Sequence, residues 1–228
     1  VEMRRVYDII LAHEEERGEL FLRRLEGKNP IFICVIGTTE TAKISGISAA
    51  GKNPDFTDYT PPADVELLLL GRCMCISGVP VTPEGIPTPA LITRSALKLA
   101  DIPTFVVNSG LKLKPYVPIL ELGGSPGGDI RTGKVVENVE EVLRRARIAG
   151  ENFAKMADYL VVGESIPGGT TTALGMLLAM GIDAKGRVSS SMSSNPHELK
   201  IKIVEAGLKN SGIEFGSLTN DPLKAIGL

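Results

Sequence analysis

Unbroken apolar runs alternate along this chain with segments whose apolar positions recur at helical spacing. "PIFICVIGTT", residues 30–39, is a β-branched run ending in Gly and Thr. It predicts a buried parallel strand, because a strand covered on both faces needs no polar alternation. "VELLLLGRCMCISG" reads as a second strand, "PTFVVNSG" and "VPILELGG" as two short ones, and "YLVV" as a strand ending at about Val162. Between these, Val6, Ile9, Ile10, His13, Arg17, Leu20 and Leu25 fall near a helical period with charges among them. That spacing predicts an amphipathic surface helix over residues 6–25. "PALITRSALKLADI" reads as a helix with Pro near its start. "NVEEVLRRARIAGENFAKMA" reads as a long helix with Asn138 as N-cap and Glu141 at the capping-box position. In "SSNPHELKIKIVEAGLKNSG", Asn195 is the expected cap, Pro196 the first helical residue and Glu198 the third, with Gly212 just past the end.

Helices and β-rich runs alternate throughout, with no internal repeat and no linker. The expectation is one α/β domain over residues 1–228: a doubly wound, mainly parallel sheet with helices on both faces, in three layers. Residues 40–62 lack periodicity and are rich in small residues and prolines, which predicts a long functional or mobile loop. Doubly wound folds bind ligands at the carboxyl ends of their strands. That rule selects residues 37–40, 108–110, 123–129 and 163–172.

Composition narrows the function classes. Apolar residues make up 43% of the 228, so a large core can form. Net charge is −2 with no basic block, and there is no Trp, which argues against nucleic-acid binding. No apolar run approaches the roughly 20 residues of a membrane-spanning helix. Three cysteines, Cys34, Cys73 and Cys75, suit a reduced cytoplasmic protein. Cys73 and Cys75 would share one side of a strand, as core residues rather than a metal pair. His13 and His197 fall in separate expected helices, and no metal site or cofactor is expected.

The stretch with most chemistry is "GESIPGGTTTALG", from Gly163. Glycines allow a sharp turn and close backbone approach to a ligand. Thr170, Thr171 and Thr172 then open a helix whose first turn presents free N–H groups and the positive end of its dipole. Gly163, Gly168 and Thr170 fit the spacing of a nucleotide-triphosphate loop, but Gly169 stands where that loop needs lysine. The stretch therefore reads as a phosphate or phosphoribose cradle with Glu164 at the strand tip. The alternative is a glycine turn whose threonines satisfy the helix start.

"GESIPGGTTTAL" also resembles the G-E-M-G-I-G-N-T-T motif of the nicotinate-nucleotide:dimethylbenzimidazole phosphoribosyltransferases. Gly163, Glu164, Gly168, Thr170 and Thr171 match; Ile166 replaces a glycine and Gly169 the asparagine. "FICVIGTTETAKISGISAAG" resembles an upstream part of the same family, with Gly46, Ile47 and Ser48 retained and Thr38 and Thr39 in place of Asp-His. "GTTETAK" and "NPHELK" resemble the archaeal-type branch over nearly the whole chain. The resemblance implies phosphoribosyl transfer from nicotinate mononucleotide to a benzimidazole-type base in cobamide lower-ligand synthesis. Glu164 would act at the reacting sugar, and Gly163, Gly168, Gly169, Thr170, Thr171 and Thr172 would hold nucleotide and phosphate. Thr38, Thr39, Glu40, Ser48 and Ser191 would contact the base or the rim. The resemblance further implies a homo-oligomer, and it implies a general-base glutamate near the family's C-terminus. No residue here takes that last role by motif matching, so the expectation is a domain lacking the family's C-terminal portion. A non-catalytic nucleotide-binding or regulatory module is the competing reading.

Overall fold

In a computed structural model, which describes residues 11–228, the run Pro30–Gly37 forms strand β1 at the centre of a parallel sheet. Strand β2, Thr104–Gly110, pairs on one side, and strand β4, Tyr159–Ser165, on the other. Strand β3 is only Leu120–Glu121, so "VPILELGG" contributes two residues rather than a full strand. The order is β3-β2-β1-β4, and every pairing within this sheet is parallel.

Among the described residues, seven helices surround the sheet: α1 (Glu15–Leu25), α2 (Thr60–Leu70), α3 (Ala90–Leu99), α4 (Val139–Phe153), α5 (Gly169–Ala179), α6 (His197–Ser211) and α7 (Pro222–Ile226). Side chains of β1 alternate between two cores, as the pleat requires. Phe32, Cys34 and Ile36 pack with Val65, Leu67 and Leu68 of α2. Ile31 and Ile33 face the other way, towards Phe153 of α4. Helices therefore cover both faces, giving the expected three-layer α/β fold. A third core joins α5, α6 and α7 through Leu174, Leu178, Val204 and Ala225. No helix among the described residues is long and apolar enough to cross a membrane.

Several sequence expectations need correction. "VELLLLG" is the end of helix α2, not a strand. Nearly every residue of α2 is buried, so its sequence carries no polar stripe. A helix that is apolar all round cannot be told from a buried strand by periodicity. Cys73 and Cys75 lie in the irregular segment after α2, not on a strand. Both are thiols at neutral pH: burial pushes Cys73 up to about 11 and Cys75 up to about 12. The turn around them is pinned by fully buried Glu66, which accepts the backbone N–H groups of Met74 (2.5 Å), Cys75 (2.9 Å) and Tyr116 (2.8 Å).

The expected helix over residues 6–25 begins only at Glu15. His13 and Glu14 adopt left-handed backbone, and residues up to 10 lie outside the described part. Residues 40–62 are ordered by two 3-10 turns, Glu40–Lys43 and Pro54–Asp58, before α2 starts. The side chain of Asn138 makes no capping bond, and Glu141 pairs instead with Arg144 and Arg145. Helix α6 begins at His197, with Pro196 outside it, and Asn195 donates to the Val188 carbonyl. Strand β4 continues to Ser165, three residues past the expected end. That extension carries Glu164 and Ser165 on the strand itself.

Candidate active site

Beyond the carboxyl end of β4 lies a cavity of about 490 Å³. Its volume lies in the range of small-molecule sites. One wall is Glu164 and Ser165 of β4, the turn through Pro167 and Gly168, and Gly169 and Thr170 at the start of α5. Facing it are Asp64 of α2 and Thr88. Ser48 and Ser191 close the rim. The Ser191 hydroxyl accepts the Ala49 N–H at 2.9 Å, joining two loops far apart in sequence. Ser48 accepts the Ala50 N–H at 3.2 Å.

The turn into α5 is shaped by Gly168, whose φ is +78°. A Cβ there would also sit 3.0 Å from the backbone of Ala42. Glycine is therefore required twice, by dihedral and by close approach. The turn brings the Glu164 carboxylate over the start of α5: a Cβ on Gly169 would lie 3.9 Å from Glu164 Oε2. Burial raises the Glu164 carboxyl above its ordinary range, against the backbone N–H of Ile166, which favours its charged form.

Behind the cavity wall, a lysine from another helix reaches the start of α5 without itself lining the cavity. Lys200 of α6 is wholly buried, and its Nζ donates to Thr170 Oγ1 at 3.0 Å and to the Ser189 carbonyl. Both partners are neutral, and burial lowers the ammonium pKa. An ammonium has three donors, so one remains after these two bonds. A buried cation without a carboxylate partner is costly and suits a site that receives an anion. Its sequence position carried a readable signal. Lys200, Ile203, Val204, Gly207 and Leu208 are the buried residues of α6, and their spacing is the apolar stripe of a helix with lysine in its first place.

Asp64 is the other group that motif reading missed. Its Oδ1 accepts the Thr88 hydroxyl at 2.7 Å, and its Oδ2 accepts the Ser165 hydroxyl at 2.7 Å. Burial pushes its carboxyl up to about 6 despite both bonds, with a further contribution from the nearby Glu164 charge. It stands in the featureless run of α2, where no local pattern marks it as functional.

The predicted residues divide. Glu164, Gly168, Gly169, Thr170, Ser48 and Ser191 line one cavity. Gly163 lies behind it, its missing Cβ leaving room for the Phe32 ring. Thr171 is fully buried with no partner for its hydroxyl among the described residues. The Thr172 hydroxyl bonds back to the Gly169 carbonyl at 2.9 Å. Thr38, Thr39 and Glu40 lie away from the cavity lining. Thr38 Oγ1 accepts the Lys112 N–H, and Thr39 Oγ1 donates to the Gly128 carbonyl. Glu40 joins Lys43, Lys112 and Asp58 in a four-membered charge network.

No family model matches the chain. Curated relatives do. The UPF0284 protein of Archaeoglobus fulgidus is 52% identical over 91% of this chain and 63% of its own length. That of Methanosarcina mazei is 49% identical over 87% of this chain and 57% of its own length. That of Methanothermobacter thermautotrophicus is 46% identical over 90% and 58% respectively. The chain thus spans about three-fifths of the length of these relatives. Among solved structures, the nicotinate-nucleotide-dimethylbenzimidazole phosphoribosyltransferase of Thermus thermophilus superposes with a TM-score of 0.57. The match covers 88% of this chain and 53% of the enzyme at 18% identity. The chain is therefore similar in sequence to the UPF0284 proteins and shares its α/β fold with that phosphoribosyltransferase.

Proposed function

We propose that this chain carries the phosphoribosyl-donor site of a transferase that moves phosphoribose from nicotinate mononucleotide to a benzimidazole-type base. The observation that carries the reading is one cavity joining Glu164 with the first turn of α5, backed by the buried Lys200 at Thr170. The fold likeness to a phosphoribosyltransferase and the motif resemblance around Gly163 and Glu164 support it.

The chemistry follows from charge. The 5′-phosphate is held by the N–H groups at the start of α5 and the Thr170 hydroxyl, with the Lys200 ammonium behind Thr170 adding positive charge. As the C1′–N bond breaks, its electron pair goes to the pyridinium nitrogen, nicotinate leaves with a neutral ring and its carboxylate charge, and positive charge develops on the sugar. The Glu164 carboxylate stabilises that charge electrostatically. The base nitrogen then forms the new bond to C1′. No metal is needed for any of these steps.

Incubating the full-length protein with nicotinate mononucleotide and 5,6-dimethylbenzimidazole, and following nicotinate release, tests the reading. Base-dependent release is expected, and Glu164→Gln should lower it by at least tenfold. Absence of release from the wild-type protein overturns the transferase reading. Full turnover by Glu164→Gln overturns the role given to that carboxylate. Tight nucleotide binding without release points to a regulatory module instead.

A further inference from the structure

A second cavity, of about 440 Å³, adjoins the first. Gly51, Thr60, Pro80 and Val81 line both, so they form a shared wall. The transfer proposed above makes no use of this second space. Its volume also lies in the range of small-molecule sites.

Two stretches of chain build it. The first is residues 51–60, which run through the 3-10 turn Pro54–Asp58 into α2. In this stretch Phe56 and Tyr59 place their ring centroids 5.6 Å apart, with the rings tilted by 38°. The second is residues 75–81, which add the apolar side chains of Ile76, Val79 and Val81. Both stretches are fixed by bonds of their own. The Asn53 side chain accepts the Phe56 N–H at 3.2 Å, and Thr57 Oγ1 donates to the Pro54 carbonyl at 2.6 Å. Gly51 packs so closely on Phe56 that a Cβ there would lie 3.0 Å from it. In the second stretch, Glu66 accepts the Cys75 N–H at 2.9 Å, and the Pro80 carbonyl accepts the Thr88 N–H at 2.9 Å. The walls are thus in place before a ligand arrives, which lowers the cost of binding.

The charge of this cavity is unbalanced. Among the described residues that line it, Lys52 alone is charged. No Asp or Glu belongs to that lining, and burial keeps the Cys75 thiol protonated, at about 12. Lys52 Nζ stands 4.0 Å from the centroid of the Phe56 ring. The ring attracts the ammonium through its quadrupole and holds it at the cavity. An ammonium beside two aromatic rings, with no acid on the lining, complements a ligand that combines a flat ring with one negative charge. The rings pack against the ligand's ring, and the ammonium meets its carboxylate.

We infer that this second cavity binds a planar aromatic carboxylate, with its ring against Phe56 and Tyr59 and its carboxylate at the Lys52 ammonium. The site is separate from the donor site, since Glu164, Thr170 and Lys200 take no part in its lining.

Titration of the full-length protein with benzoate, benzamide and cyclohexanecarboxylate, followed by NMR on assigned backbone amides, tests the inference. Benzamide keeps the ring without the charge, and cyclohexanecarboxylate keeps the charge without the flat ring. Benzoate should shift the amides of residues 51–60 and 75–81. It should bind about fivefold more tightly than either analogue, the scale of one part-exposed ion pair or ring contact. Lys52→Met, at an exposed side chain, should bring benzoate and benzamide within about twofold of each other. Phe56→Leu should do the same for benzoate and cyclohexanecarboxylate. Benzoate shifts confined to residues 164–170 and 189–191 would put the ligand in the first cavity and overturn the inference. So would no shift at all, equal wild-type affinity for the three probes, or an unchanged benzoate preference in either variant. Nicotinate release by the same protein reports on the first cavity, so the transferase reading and this one can each fail alone.

Discussion

Replacing Lys200 by methionine separates a phosphate-binding cation from a structural strut. The substitution keeps the length of the side chain and removes its charge. In the wild-type protein Nζ holds Thr170 Oγ1 and the Ser189 carbonyl, with one donor left over. Acting through Thr170 across roughly 6–11 Å, a unit charge contributes about 1.5–3 kcal/mol at an effective dielectric of about 20. At about 1.4 kcal/mol per factor of ten, losing it weakens phosphate binding roughly 10- to 150-fold. Stability follows a different course. The Ser189 carbonyl and the Thr170 hydroxyl lose a partner, at about 1–3 kcal/mol each way. Against this, a buried ammonium without a countercharge is removed, which relieves a penalty of several kcal/mol. The net expectation is a fold no more than about 1 kcal/mol less stable than wild type. The lowered pKa of Lys200 sets the sign of its pH dependence. The unfolded chain binds more protons than the native state between the lowered value and the ordinary one, so wild-type stability rises with pH across that window. Lys200→Met should lack this rise. Titrations with ribose 5-phosphate and with nicotinate riboside, alongside urea denaturation, read both effects. The phosphorylated ligand should lose affinity and the riboside should not. Unchanged affinity for ribose 5-phosphate, together with a loss of about 3 kcal/mol or more in stability, would refute the reasoning and leave Lys200 as a strut.

Other substitutions test separate parts of the argument. Asp64→Asn should stabilise the protein at pH 8. The raised native carboxyl, at about 6, means wild-type stability falls as pH rises from the unfolded value through that point, and the variant removes a cost on the order of 3 kcal/mol; a less stable variant at pH 8 by urea denaturation contradicts this. Glu66→Gln should destabilise by about 3 kcal/mol, because an amide cannot accept all three backbone N–H groups at full strength. Burial alone would push the Glu66 carboxyl up, but those N–H groups hold it below its ordinary range, so its contribution is lost as pH falls through the lowered value; the variant should lack that acid limb. Gly207→Ala should cost about 3 kcal/mol or more, since the added Cβ would meet the Ile130 carbonyl at 2.1 Å, and a melting temperature within about 2 °C of wild type would count against the α6 packing described.

The layer architecture was legible from the alternation of apolar runs and helical spacing. Parallel strands buried on both faces leave that signature in any short window, and β1 and β2 carry it; β4 ends the strand order with Val161 and Val162 exposed, and its apolar run still marks it as a strand. The loop around Gly168 was legible for a similar reason, because the need for positive φ and for close approach writes glycine into the sequence. Helix α2 was misread because its burial on all sides removes the polar positions by which a helix is recognised. Asp64 went unnoticed because it stands in an apolar run with no neighbouring motif, and Lys200 because a lysine among the other charges of its helix reads as a surface residue. Thr38, Thr39 and Glu40 looked like site residues because they follow a strand end. In three dimensions their side chains bond to Gly128, Lys43 and Lys112, away from the cavity lining.

The sequence by itself determined the class of fold, the glycine turn into α5 and the carboxylate beside it. These are local requirements of dihedral angle, capping and burial, satisfied by residues adjacent in the chain. Only the tertiary structure decided what surrounds Glu164. The lysine at the start of α5 arrives on α6, and the acid that accepts the Ser165 hydroxyl arrives on α2. Both are brought in by helix packing, and both are stable there because buried polar groups must find partners wherever the fold offers them. What reads in the sequence as one short motif is, in the folded protein, one wall of a cavity lined by five separated stretches of chain.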